Sequence, residues 1–230
     1  MKKMAISQSN YIPWKGYFDM INMVDVFVIY DEVQYTKNDW RNRNIIKTKK
    51  GLEWITIPVK QNKLNQRIDE TKVFLSKWNI KHWKTIKSVY GKAPFFKEYS
   101  ERFEKLYLGV ESSYLSEINA RFIHEICDIL NIKTSIIDSK ELLLMGDANE
   151  RLIDACKKLD ATAYVSGPSA KSYIKNFLFE KNNVKIEWIN YSGYPEYKQM
   201  TTPFEHGVSV LDLIFNMGEE ATKFLKSFNQ

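Results

Sequence analysis

Residues suited to acid–base or anion chemistry fall into four clusters along the chain. The first is Gln8-Ser9-Asn10-Tyr11-Ile12-Pro13-Trp14-Lys15-Gly16, where amides, hydroxyls and rings lie between an apolar segment and a helical pattern. A helix start offers unpaired N–H groups and a positive dipole end, which suit a phosphate, carboxylate or oxyanion. Gln8, Asn10, Tyr11 and Trp14 are therefore candidate binding residues, with Gly16 letting a ligand approach the backbone; a rigid aromatic corner plugging the sheet accounts for the same residues. The second cluster runs from Asp31 to Asn44, the most polar stretch after an apolar run. Asp31 can orient an amine or act as base, Lys37 and Arg43 can neutralise phosphate, and Tyr35 and Asn44 complete the set. An exposed turn held by its own ion pairs would look much the same. The third is His82 in Lys81-His82-Trp83-Lys84. With Trp83 on the apolar face His82 is expected to point elsewhere, and two neighbouring lysines would keep it neutral, as a general base requires; a surface histidine is the plain alternative. The fourth is Ser166-Gly167-Pro168-Ser169-Ala170-Lys171, where hydroxyls and a proline open a helix, an arrangement that can bind anions or simply cap.

These clusters need a scaffold, and the hydrophobic pattern supplies one. Met4 to Ser7 and Asp25 to Asp31 read as strands joined by a helix around Tyr17 to Met23, an arrangement that usually runs parallel, with ligands at the strands' carboxyl ends. The stretch 54–59 alternates as a strand, with Pro58 marking an edge. Ile80, Trp83, Ile86 and Tyr90 repeat at helical spacing, as do Leu115, Ile118, Phe122, Ile126 and Ile129. Strands are expected near 134–137, 163–165 and 184–188, separated by a helix capped by Asn149 and a helix running to about Lys175. Two amphipathic helices, 208–216 and 219–228, would close the chain. The expectation is an α/β fold: one domain over residues 1–230, a mostly parallel sheet covered by helices on both faces, with a helical insertion at about 75–125.

Composition narrows the classes. The chain has 230 residues, 44% hydrophobic and 27% charged, with 34 Lys+Arg against 28 Asp+Glu for a net charge of +6. That is enough chain to bury a core without disulfides, and it excludes disorder and collagen-like repeats. No apolar run is long enough to span a membrane or serve as a secretory signal, so a cytoplasmic location is expected. The cations are mostly scattered lysines; only Lys37/Arg41/Arg43/Lys47 and Lys81/Lys84/Lys87 are dense enough to hold phosphate, and no specific nucleic-acid partner is expected. Cys127 and Cys156 read as buried thiols, and His82, His124 and His206 are too dispersed for a metal site. P-loop, Gly-x-Ser-x-Gly, His-Glu-x-x-His and dinucleotide Gly-x-Gly-x-x-Gly patterns are absent.

Taken together, Gln8 to Phe18, Asp25 to Val28, Asp31-Glu32-Val33-Gln34-Tyr35, Asn42-Arg43-Asn44, His82-Trp83, Ser166-Gly167-Pro168-Ser169 and Leu211 to Asn216 resemble the WbqC-like family in order and over about residues 4–218. That family's first motif typically reads Gln-Pro-Asn-Tyr, whereas this chain has Ser9 at the second position. The resemblance implies a bacterial role in O-antigen or related surface-polysaccharide synthesis, with acyl or aminoacyl (glycyl) transfer onto the amine of a nucleotide-linked amino sugar. The residue roles come from the residues themselves and not from the resemblance: for such a transfer His82 or Asp31 would be the base, Arg43 and Lys37 would hold diphosphate, and Tyr11, Trp14 and Tyr35 would stack on a base or sugar. Backbone amides near Gly16 or Gly167 receive the oxyanion, and acyl-coenzyme A or another activated acyl compound is the donor. Two other readings stay open: an ATP-using nucleotidyl transferase or ligase-like enzyme, and a non-catalytic module that binds saccharide or nucleic acid.

Overall fold

The computed structural model of the chain describes residues 1–74 and 77–229. In chain order it runs β1 (Lys3–Ser7), α1 (Lys15–Asn22) and β2 (Val26–Ile29), followed by the ribbon strands β3 (Arg43–Thr48) and β4 (Gly51–Thr56). Next come β5 (Val59–Lys60), β6 (Lys72–Val73), α2 (Trp78–Tyr90), α3 (Phe96–Leu108) and α4 (Leu115–Ile129). The chain then alternates through β7 (Ser135–Asp138), α5 (Ala148–Lys158), β8 (Ala163–Ser166), α6 (Asn176–Lys181) and β9 (Lys185–Trp188), before α7 (Val210–Met217).

Five strands form one sheet in the order β7-β2-β1-β8-β9, and every neighbouring pair is parallel. Side chains alternate across a strand. Ala5, Phe27, Ile29 and Val165 therefore enter one core with Phe18 and Ile21 of α1 and Phe122 and Ile126 of α4. Met4, Ile6, Val26, Val28 and Tyr164 enter the other, with Leu152 and Cys156 of α5 and Phe179 of α6. Both faces are covered, so the central strands are apolar in their interiors; β2 and β8 are buried at all four positions. This is the expected α/β architecture. The chain steps outward from β1 through β2 to β7, then crosses to β8 and β9 on the far side, so the strand order reverses between β1 and β8.

Several boundaries differ from the sequence reading. The excursion between β2 and α4 spans residues 30–114 and carries two antiparallel ribbons beside α2 and α3. Helix α4 is a cover for the sheet, because its stripe fills the same core as Phe27. Residues 75 and 76, where the insertion was expected to begin, lie outside the described residues. The cap of α5 is Asp147, whose carboxylate accepts from the N–H groups of Asn149 and Glu150 while Glu150 reaches back to Asp147, a capping box in place of an Asn149 cap. The segment 168–172 is a single tight 3-10 turn and 218–229 forms two more, in place of α-helices. On α2 the buried stripe is Trp78, His82, Trp83, Ile86 and Tyr90, while Ile80 is exposed.

Candidate functional site

A crevice of about 510 Å³ lies at the carboxyl ends of β1, β2 and β8, at the reversal of strand order. Ligands of doubly wound sheets bind in that position, outside the strand ends. Ser7 and Gln8 leave β1 into it, Tyr30 follows β2, Tyr164 belongs to β8, and Tyr173 closes the turn beyond β8. The opposite wall is the start of α5, with Asp147 and Arg151. Arg151 donates from Nε to the Gly146 carbonyl at 2.9 Å and from Nη1 to the Tyr30 hydroxyl at 3.0 Å. The Glu150 and Asn149 N–H groups hold the Asp147 carboxyl below its usual range, so the positive end of α5 is already neutralised by its own cap. Arg151 is thus the cation that this wall offers.

The loop after β1 divides between two cavities. Gln8 lines the crevice, whereas Asn10, Pro13 and Trp14 line a second cavity of about 300 Å³ together with Trp40, Asn44 and Gly207. Tyr35 and Lys37 line a third hollow, against Val59 and Phe74. Ser166, Gly167, Ser169 and Lys171 line none of these three: Ser166 is buried with its hydroxyl 3.4 Å from that of Tyr164, Ser169 is exposed, and the Lys171 ammonium lies over the Trp188 ring. The four clusters therefore do not gather around one cavity, and the loop borders two.

Both expected bases are structural. Asp31 is 2% exposed and accepts from the Ser9 N–H at 2.8 Å, the Ser9 hydroxyl at 2.6 Å and the Ser116 hydroxyl. Burial raises its carboxyl pKa above the usual range, while the Ser116 and Ser9 hydrogen bonds and the Arg41 charge pull it back. His82 is 8% exposed, with Nε2 3.1 Å from the Thr56 carbonyl and Nδ1 2.9 Å from the Tyr11 hydroxyl. The carbonyl only accepts, so Nε2–H donates, Nδ1 accepts from Tyr11, and the Tyr107 hydroxyl donates to Tyr11 at 2.9 Å. Burial lowers the His82 pKa to about 4, so it is neutral, as expected, but through desolvation and not through lysines. Both ring nitrogens are occupied.

The remaining candidates carry the frame. Tyr11 is fully buried and presents no stacking face. Tyr35, 2% exposed, donates to Asn42, which fixes the turn. Asn44 donates to the carbonyls of Tyr11 and Ile12, clamping the loop at both residues. Gly16 is required by its neighbour: a Cβ there would sit 2.3 Å from the Trp14 ring. Gly167 has ordinary space around it, so no close approach demands glycine there. Arg43 lies on the Trp54 ring at 4.0 Å, and the Lys47 ammonium is spent on Gln199 and the carbonyls of Thr201 and Pro203. Arg151, Tyr30 and Tyr173 escaped the sequence reading. The Asp147-x-x-Glu150 capping box was the signal that placed Arg151 in the first turn of a helix, at the sheet edge.

A doubly wound α/β protein with an open crevice at its switch point is the class defined by this geometry. The WbqC-like protein family model matches residues 8–224, and the chain belongs to that family. It is 45% identical over 231 aligned positions to an uncharacterized protein, Rv1507c, of Mycobacterium tuberculosis (strain ATCC 25618 / H37Rv), with all of both chains covered. No solved structure matches the chain significantly. Among the described residues no helix is long and apolar enough to cross a membrane, and no group of three or more His, Cys, Asp and Glu side chains could hold a metal ion.

Two outcomes follow from these roles. Replacing Asp31 by Ala strands buried donors of Ser9 and Ser116, which costs about 3 kcal/mol or more and lowers Tm by roughly 6–12 °C in a chain of this size. Calorimetry checks this; an unchanged Tm would return Asp31 to the list of free carboxylates. For His82 the folded pKa of about 4 lies below the ordinary 6.5, so the unfolded chain binds the extra proton first. Stability held above pH 6.5 is therefore lost as the pH falls toward 4, by up to about 3 kcal/mol. Denaturant titrations across that window should show a shallower loss for His82→Gln, and equal slopes would show that His82 is protonated in the folded chain.

Proposed function

We propose that the chain is a transferase that forms an amide on the amine of a nucleotide-linked amino sugar, with the nucleotide part seated in the crevice between β1, β2 and β8. The observation that carries this reading is the coincidence of the largest of these cavities with the reversal of strand order, where Gln8, Tyr30, Tyr173 and Arg151 converge. The tyrosine rings suit a base or ribose, and the Arg151 guanidinium retains N–H groups beyond the two spent on Gly146 and Tyr30, which suit phosphate through charge-assisted bonds. The family resemblance to proteins of O-antigen synthesis supports the same substrate class.

Because His82 and Asp31 are internally satisfied, the reading assigns neither as base. With a thioester donor such as an acyl-coenzyme A, the neutral sugar amine attacks the acyl carbon, the C–N bond forms, the C–S bond breaks with the thiolate leaving, and the amine proton passes to solvent. The strand order also favours a second reading, an ATP-using ligase or nucleotidyl transferase, since reversals of this kind commonly hold mononucleotides. That likeness is one of fold.

A thermal-shift panel of UDP- and dTDP-amino sugars, acyl-coenzyme A and ATP separates the two. A ligand at 100-fold its Kd adds about 2.7 kcal/mol, or roughly 5–10 °C in a chain of this size. A nucleotide sugar should raise Tm, and Arg151→Ala should weaken its binding about tenfold or more while altering basal stability by about 1 kcal/mol or less. A shift with ATP alone, together with ATP–pyrophosphate exchange, would replace the transferase reading by the second one.

A further inference from the structure

We infer that the second cavity, bounded by Asn10, Pro13, Trp14, Trp40, Asn44 and Gly207, is a saccharide subsite that holds one neutral pyranose ring against the indole of Trp40. The inference stands on this cavity's own chemistry and rests on the proposed function only in taking that ring as the sugar part of the same substrate.

Among the described residues the lining contains no charged side chain, in contrast to the crevice with Arg151 and Asp147. A phosphate or carboxylate would find no counter-charge on these walls, whereas a ring with apolar C–H faces and hydroxyls at its rim finds both kinds of partner. At about 300 Å³ the cavity lies at the lower end of the range for ligand sites, roughly 300–1,000 Å³, so it suits one ring and not a whole nucleotide. Trp40 is 41% exposed, an area of indole that a folded chain otherwise tends to cover.

Both indoles are held in place before any ligand arrives. Trp40 packs on Trp54 with centroids 5.2 Å apart, and Arg43 lies on the far ring at 4.0 Å. Trp14 is wedged over Gly16 and meets the edges of Tyr191 and Tyr194 at 5.3 and 5.8 Å. Arg41 donates to Asn10 Oδ1, which fixes the amide's orientation and leaves Nδ2 without a protein acceptor among the described residues, a donor for a ring hydroxyl or an N-acyl carbonyl. Asn44 contributes wall and not polarity, since its amide is spent on the loop. Gln8 and Trp14 leave the same loop toward different cavities, so a nucleotide in one and its sugar in the other would be read by one segment of chain.

The test is an NMR titration of the full chain with methyl N-acetyl-β-glucosaminide, following the six tryptophan indole N–H signals. The Trp14 and Trp40 signals should move with a Kd on the order of 1–10 mM, the range open to a ligand of this size. Trp40→Ala should weaken binding at least fivefold while the chain stays folded, and Trp40→Phe should restore most of it. Arg151→Ala should leave saccharide binding unchanged while weakening that of the nucleotide sugar, so a failure of the crevice reading is seen separately. Movement of neither signal, equal binding by Trp40→Ala, or movement with uridine or adenosine but not with the saccharide would each overturn the inference.

Discussion

The carboxylate of Asp31, buried where the chain leaves β2, is the interaction on which the rest of the sheet edge depends. Its oxygens take the N–H and hydroxyl of Ser9 from the loop after β1 and the hydroxyl of Ser116 from α4, while its own carbonyl accepts from the Asp69 N–H of the excursion. Asn119 of α4 extends the network to Ser9 and to the Arg41 carbonyl. Three separate stretches of chain meet on one residue, two of them on its carboxylate and the third on its main-chain carbonyl. A buried carboxylate is tolerated only with its acceptor capacity filled, and here the filling is what shapes the loop. Ser9 supplies two of these donors, its N–H and its hydroxyl, so the loop is held by hydrogen bonds to Asp31.

That loop has no regular structure from Gln8 to Pro13, yet its path is determined at several points. Asn44 takes the Tyr11 and Ile12 carbonyls, the Trp40 carbonyl takes the Tyr11 N–H, and the Tyr11 side chain runs inward to His82 and Tyr107. With its middle anchored inward, its two ends border different cavities. One holds the arginine and the capped start of α5, the other two indoles and amides with no charge. The Asp31–Ser9 contact anchors the segment that leads to both.

The groups that drew attention as chemistry are largely the ones that hold this frame. A buried polar group costs stability unless paired, and once paired it has little left to offer a substrate. His82 uses both nitrogens, Lys47 binds three oxygens of the 199–203 segment, and Asp31 binds three hydrogens. The residues that remain free to meet a ligand, Arg151, Tyr173 and Trp40, lie at the rims, where side chains are only partly packed.

Local pattern by itself determined the alternation of buried strands and amphipathic helices, and with it the parallel sheet covered on both faces, because Val26 to Ile29 and the stripe from Leu115 to Ile129 carry their burial period in the residues themselves. It also placed the polar loop directly after β1, at the carboxyl end of that strand. Short-range signals did not reach β5 and β6, whose two residues each are too few to show alternation, nor the 3-10 turns that replaced two expected helices. Which polar side chains turn inward was decided only by the tertiary structure. His82 is buried because the Thr56 carbonyl and the Tyr11 hydroxyl, 26 and 71 positions away, arrive at its two nitrogens. Arg151 faces the crevice because β7 crosses to β8 over the sheet through α5, and a crossover of that kind is a property of strand order, not of any window of residues.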